Sequence, residues 1–115
     1  MSIHEDLESF YEEFSSALET RDFNRLCPLY TDEAVYFASA TAPVFGNQQI
    51  SNLCEGPAPT KKITFEVGEV LEEGDLIVDI GWILDDGSRV SRFVGIYRRQ
   101  SDGRLKMAVD VAMTT

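Results

Sequence analysis

The chain carries a single histidine, only two cysteines, and half as many basic residues as acidic ones, ten against twenty. Each shortage removes a class of function. One histidine, His4, and two cysteines far apart in sequence, Cys27 and Cys54, leave no ligand set for a structural zinc site. No metal and no cofactor is expected. The cysteines form no CxxC, and each reads as a small buried hydrophobe rather than half of a disulfide or a redox centre. The formal net charge of −10 argues against nucleic acid, whose phosphates need a basic stripe. No stretch approaches the roughly 18 consecutive apolar residues of a membrane helix, so no membrane partner is expected. The opening MSIHEDLESF is acidic where a secretory signal would be basic and then apolar, which makes a cytoplasmic location the expectation.

What is present fits one domain over residues 1–115, long enough to bury a hydrophobic core without staples. Between Ser2 and Thr20, Ile3, Leu7, Phe10, Phe14, Ala17 and Leu18 recur at helical spacing, with acids on the opposite face. Ser2 and Glu5 make a capping box. Asp22 caps a second, shorter helix reaching Tyr30; Pro28 should distort or end it, and Thr31-Asp32-Glu33 reads as its exit turn. Ala34–Ala38 is a short strand and residues 39–45 a loop. Gly46 opens a brief helix, Asn47–Cys54, whose Ile50, Leu53 and Cys54 face inward, and Gly56-Pro57-Ala58-Pro59 stops it. Everything after Lys61 reads as strands: Lys62–Leu71, Asp75–Leu84, Arg89–Arg99 and Arg104–Met113. Asp85-Asp86-Gly87 and Ser101-Asp102-Gly103 are hairpin turns between them. A helical first half before a meander of four antiparallel strands indicates an α+β fold with helices on one face.

Three stretches carry a family likeness: Asp22-x-x-x-Leu26-x-x-Leu29-Tyr30-Thr31-Asp32-Glu33-Ala34, Val44-Phe45-Gly46-Asn47-Gln48-Gln49-Ile50, and Asp102-Gly103-Arg104-Leu105-Lys106. In order and spacing they resemble the nuclear transport factor 2-like superfamily, which includes ketosteroid isomerases, SnoaL-like polyketide cyclases and limonene epoxide hydrolases. The resemblance implies a cone-shaped α+β barrel, with helices packed into a strongly curved mixed, mostly antiparallel sheet around a pocket. It also implies a homodimer through the convex sheet face. It does not bring the isomerase's chemistry with it. Aligned around Tyr30 and Gly46, the isomerase base falls near Ala38 or Ser39, the oxyanion tyrosine at Phe14 and the protonated acid at about Gly95. None of these side chains can fill its role. The epoxide hydrolases' Arg-x-Asp is absent too.

Asp110 is the catalytic candidate. It interrupts the apolar run Ala108-Val109-Asp110-Val111-Ala112, and strand alternation groups it with Ala108 and Ala112, small residues that leave room for a pocket floor. A carboxyl group there should have a raised pKa, which suits a general acid or base, and the resemblance implies that SnoaL-like cyclases use a pocket aspartate in this way. The competing reading is an acid held by a buried partner such as Arg92, or one on an exposed sheet face. Asp79 interrupts a second strand. Its neighbours Val78, Ile80, Trp82 and Leu84 form the apolar set, so Asp79 is expected to face outward beside an arginine; the alternative, since bulges in a bent sheet blur this parity, is a paired-acid site with Asp110.

The aromatics Tyr11, Phe14, Tyr30, Phe37, Trp82, Phe93 and Tyr97 are candidate ligand-binding residues in the space between helices and sheet, and they also serve as core. Arg89, Arg92, Arg98 and Arg99, interleaved with Val90, Val94 and Ile96, suit a dimer surface. Three functions compete. One is an isomerase, cyclase or dehydratase acting on an uncharged cyclic or polyketide-like molecule. The second is a non-catalytic domain that binds a small apolar ligand or dimerises. The third is an adaptor using the sheet face.

Overall fold

A computed structural model describes residues 2–38, 42–56 and 62–113. The first helix, α1 (Ile3–Glu19), starts on the expected capping box: the Ser2 hydroxyl accepts from the Glu5 N–H, and the Glu5 carboxylate accepts from the Ser2 N–H. Its Leu7, Phe10, Tyr11, Phe14 and Ala17 are buried, which is the stripe the 3.6-residue period marks out. Asp22 caps α2 (Phe23–Leu26) by accepting from the Arg25 N–H. Pro28 then tightens Cys27–Leu29 into a 3-10 turn.

Strand β1 (Tyr30–Ala38) begins directly after that turn, so Thr31-Asp32-Glu33 is strand rather than an exit turn. The reason is not local. Tyr30 leaves the turn with extended dihedrals, and β1 pairs in parallel with the last strand of the chain. Part of the expected 39–45 loop is also a strand: β2 (Val44–Phe45) pairs with Tyr36 and Val35. The position of Ser39 and the Pro57-Ala58-Pro59 turn lie outside the described residues. Helix α3 (Asn47–Cys54) follows Gly46, and β3 (Ile63–Glu73), β4 (Leu76–Asp85), β5 (Ser88–Arg99) and β6 (Leu105–Ala112) form the meander. Asp86 and Gly87 both have positive φ, as a tight Asp-Gly hairpin requires.

The sheet order is β2-β1-β6-β5-β4-β3, antiparallel except for β1–β6. This is a mixed, mostly antiparallel curved sheet with the helices on its concave side. Its bends sit at register shifts. Between Glu66 and Glu69 on β3 the partner strand advances only from Trp82 to Ile80, and Ala108 is skipped between Met107 and Val109 opposite Tyr97 and Ile96. Such bulges bend a strand and change which face a residue occupies. The core fills the concave side: Phe10 meets Tyr97 at 5.1 Å between ring centroids, Phe14 meets Phe65 at 5.3 Å, and Tyr11 meets Phe93 at 5.6 Å.

Candidate functional site

Between α1, α3 and the inner sheet face lies a cavity of about 320 Å³, within the roughly 300–1,000 Å³ typical of small-molecule sites. Phe14 and Leu18 come from α1, Tyr30 and Tyr36 from β1, Ile50, Leu53 and Cys54 from α3. Ile63, Phe65, Ile83 and Phe93 continue the wall, and Asp110 and Ala112 on β6 complete it. Beyond Asp110, the polar groups in this wall are two phenols and a thiol. No lysine, arginine or histidine contributes to it among the described residues.

The Tyr30 hydroxyl donates to Oδ2 of Asp110 at 3.0 Å. Burial pushes the Asp110 carboxyl up to about 6, and the Tyr30 hydrogen bond pulls the other way. Tyr36 stands beside Asp110 in register on the neighbouring parallel strand. Burial first, and then the nearby Asp110, raise the pKa of both Tyr30 and Tyr36. The same two causes push the Cys54 thiol up to about 11, with Arg21 opposing them. All three groups therefore keep their protons across the range where Asp110 titrates. The site is an acid with an ionisation poised near neutrality, held in an apolar wall between proton-bearing donors.

Alternation sends Asp110 and Ala112 to the cavity, as the pattern of small residues suggests. Ala108 does not share their parity, because it is the extra residue of the β6 bulge: Leu105 and Met107 are buried, and the strand shifts by one before Asp110. Asp110 is not held by Arg92, which donates instead to Glu69 Oε2 at 2.7 Å and to the carbonyls of Ile80 and Gly81. Of the candidate aromatics, Phe14, Tyr30 and Phe93 line the cavity. Tyr11 and Tyr97 are buried behind it and bonded to each other, Tyr97 donating to Tyr11 at 2.7 Å.

Two of the aromatics lie elsewhere. Phe37 is 39% exposed, and its neighbour Tyr36 takes the cavity side. Trp82 belongs to the other sheet face, where the Arg92 guanidinium lies over its ring at 4.1 Å and that of Arg89 at 4.7 Å. Tyr36 and Cys54 are the polar cavity groups not among the candidate site residues. Two-residue alternation from Ala34 would have found Tyr36, whereas helical spacing already turns Cys54 inward with Ile50 and Leu53, and only its place beside Asp110 is not foreseen.

Asp79 faces inward, a correction to the outward expectation. It is fully buried, accepting from the Tyr11 hydroxyl at 2.5 Å and from the Gly68 N–H at 2.9 Å. Burial raises its pKa, partly offset by those two bonds. The inner face of β4 thus carries Ile77, Asp79 and Gly81, and the apolar set Val78, Ile80 and Trp82 faces out. A second groove, of about 340 Å³, opens between α1 and β3. Glu8, Glu12, Glu19 and Lys62 line it with serine and threonine hydroxyls and the rings of Tyr11 and Phe65, so among the described residues it carries four charged side chains where the first cavity carries Asp110 alone.

The described residues contain no cluster of side chains able to hold a metal ion and no helix long and apolar enough to cross a membrane. Helices on a curved sheet enclosing an apolar cavity define the nuclear transport factor 2-like class. Within it, the sequence profile of the SnoaL-like domain matches residues 11–107, and the chain belongs to that family. Asp110 lies just past the matched segment. No curated protein matches the chain.

Solved structures share the fold. A ketosteroid isomerase-like protein from Erwinia carotovora atroseptica is 15% identical, with TM-score 0.71, covering 96% of this chain and 94% of its own. An NTF2-like protein with a cystatin-like fold from Novosphingobium aromaticivorans is 17% identical, with TM-score 0.72, covering 96% and 80%. A protein of unknown function from Pseudomonas putida, also NTF2-like, is 21% identical, with TM-score 0.71, covering 96% and 84%.

Proposed function

We propose that the chain, as one SnoaL-like domain over residues 1–115, binds a small, uncharged, largely apolar cyclic molecule in this cavity, and that Asp110 is the acid–base group acting on it. The observation that carries this reading is Asp110 itself, in an apolar wall with Oδ2 engaged by Tyr30. An anionic ligand would meet a carboxylate and, among the described residues of the wall, no cation, so a neutral one is favoured. Near pH 7 the ionised Asp110 accepts a proton from the ligand and returns it at a second position. That exchange serves an isomerase, a cyclase or a dehydratase of the polyketide-like class. The test is turnover of a panel of enolisable cyclic ketones by the wild type and by Asp110→Asn. A loss of 10²–10⁴-fold is expected for removing the proton-transfer group. Unchanged turnover would end the catalytic reading.

A second reading, a non-catalytic binding or dimerisation domain, is favoured by the outer sheet face. Register aligns Ile80, Val94, Val111 and Phe37 in one row across β4, β5, β6 and β1, and Val78, Ile96, Val109 and Val35 in the next. These eight side chains are half-buried or exposed. An apolar patch of this breadth suits a second copy of the chain. The pairs Arg89–Glu66 and Arg92–Glu69 flank it. Ile96→Glu is expected to shift sedimentation equilibrium from dimer to monomer without unfolding the chain. A wild type that sediments as a monomer at tens of micromolar would dismiss the dimer.

A further inference from the structure

Arginine stands at position 21 where the backbone suits glycine. Helix α1 ends in a Schellman motif: the Arg21 N–H donates to the Leu18 carbonyl and the Asp22 N–H to that of Ala17. The motif puts Arg21 in the left-handed region, φ +55, where a side chain is strained and glycine is preferred. Strain of this kind persists where the side chain has work elsewhere. Here the guanidinium crosses to the far end of α3. Its Nη2 donates to the carbonyls of Glu55 at 3.2 Å and Gly56 at 2.6 Å, just past the last turn of that helix, and its Cζ lies 5.1 Å from the Phe23 ring centre.

That end of α3 is the rim of the cavity. Leu53 and Cys54 line it, and Leu53 is also 53% exposed. We propose that Arg21 is a positioning residue: a latch that holds the carboxyl-terminal turn of α3 against the α1–α2 corner and so sets how far the cavity is open to solvent. Arg21 does not line the cavity and acts only through α3. The functional meaning of the latch rests on the cavity being the ligand site, but the latch itself is tested without a ligand.

The experiment is alkylation of Cys54 by iodoacetamide, followed by peptide mapping, with Cys27 on the 3-10 turn as internal control. Arg21→Gly keeps the backbone motif, relieves its strain and removes the latch. Cys54 should react roughly tenfold faster or more, as expected for losing two hydrogen bonds from a charged donor. Cys27 should be unchanged, and the thermal midpoint unchanged or higher. Electrostatics cannot mimic this result. Arg21 favours the Cys54 thiolate, so its removal alone would slow alkylation.

Arg21→Lys, with a donor still in reach, should move the rate back towards wild type. An unchanged or slower Cys54 overturns the proposal, as does acceleration of both cysteines together, which would mark general loosening. Should the glycine variant fail to fold, Arg21→Asn, whose side chain tolerates the left-handed region, takes its place with the same outcomes. Failure of the latch leaves the proposed function standing. Failure of the ketone panel leaves the latch standing.

Discussion

Asn at position 110 is expected to make the protein more stable at alkaline pH while removing its proton chemistry. Burial lifts the Asp110 carboxyl from an ordinary 3.8 to about 6. The folded state therefore holds this proton more tightly than the unfolded state does. Between those two values folding takes up a proton, so this group's contribution to stability falls as pH rises through the window. Above it the folded protein carries the full cost of a desolvated carboxylate, on the order of 3 kcal/mol. An asparagine removes that cost and still offers Tyr30 an oxygen to donate to, although a neutral acceptor is weaker than a carboxylate. The net gain at pH 8 is expected at about 1–3 kcal/mol, and most of it is lost by pH 4, where the folded carboxyl is protonated and the unfolded one about half so.

Urea melts of wild type and variant at the two pH values measure this directly. The groups facing Asp110, namely Tyr30, Tyr36 and Cys54, are all raised and stay neutral across the window, so they add no competing titration. A wild type more stable than the variant at pH 8 would contradict the account of the site. A stability gain coupled to lost turnover would mark Asp110 as a residue kept for function at the expense of the fold.

Gly68→Ala is expected to cost about 3 kcal/mol or more, through backbone alone. A Cβ there would lie 2.0 Å from the Ile80 carbonyl oxygen, 3.0 Å from its carbon and 3.1 Å from the Gly81 Cα. No rotamer relieves a clash with backbone, so β3 must move off β4 at the bulge that bends the sheet. That movement also strains the Gly68 N–H bond to Asp79, and with it the tie from Asp79 to Tyr11 on α1. Gly74→Ala is the control. At φ +58 it carries backbone strain, but its Cβ meets nothing within 4 Å, and about 1 kcal/mol is expected. Denaturant midpoints for the two variants should separate clearly. If Gly68→Ala falls within about 1 kcal/mol of wild type, the close approach of β3 to β4 is not a constraint on the fold.

The same bulges explain why part of the site is legible in sequence and part is not. Helix α1 announces itself through a capping box and a 3.6-residue stripe, and the β4–β5 hairpin through Asp86-Gly87; both signals are local. Asp110 stands out because small residues flank it in an apolar strand. The facing of Ala108 is invisible, since it depends on one skipped pairing with β5. Asp79 and Trp82 are misread for a different reason. Apolar alternation marks a buried face only when the opposite face meets water, and here the outer face of β4 is itself apolar. Phe37 and Tyr36 exchange places in the same way on β1.

Sequence by itself determined the α+β class, the helix–meander order, the family and an acid set among small residues on the last strand. The class and the order of elements rest on periodicity, caps and turns, which act over a few residues, and the family on the resemblance of three short motifs and the matching sequence profile. Tertiary structure decided that the cavity holds Tyr36 and Cys54 rather than Phe37 and Trp82. It also turned Asp79 inward to tie α1 to the sheet, and sent Arg21 across to α3. Each of these depends on strand register or on contacts between residues far apart in the chain, such as Tyr11 with Asp79 and Tyr30 with Asp110. Local chemistry does not encode which of two apolar faces closes over the core. The curvature of the sheet, set at its bulges, makes that choice.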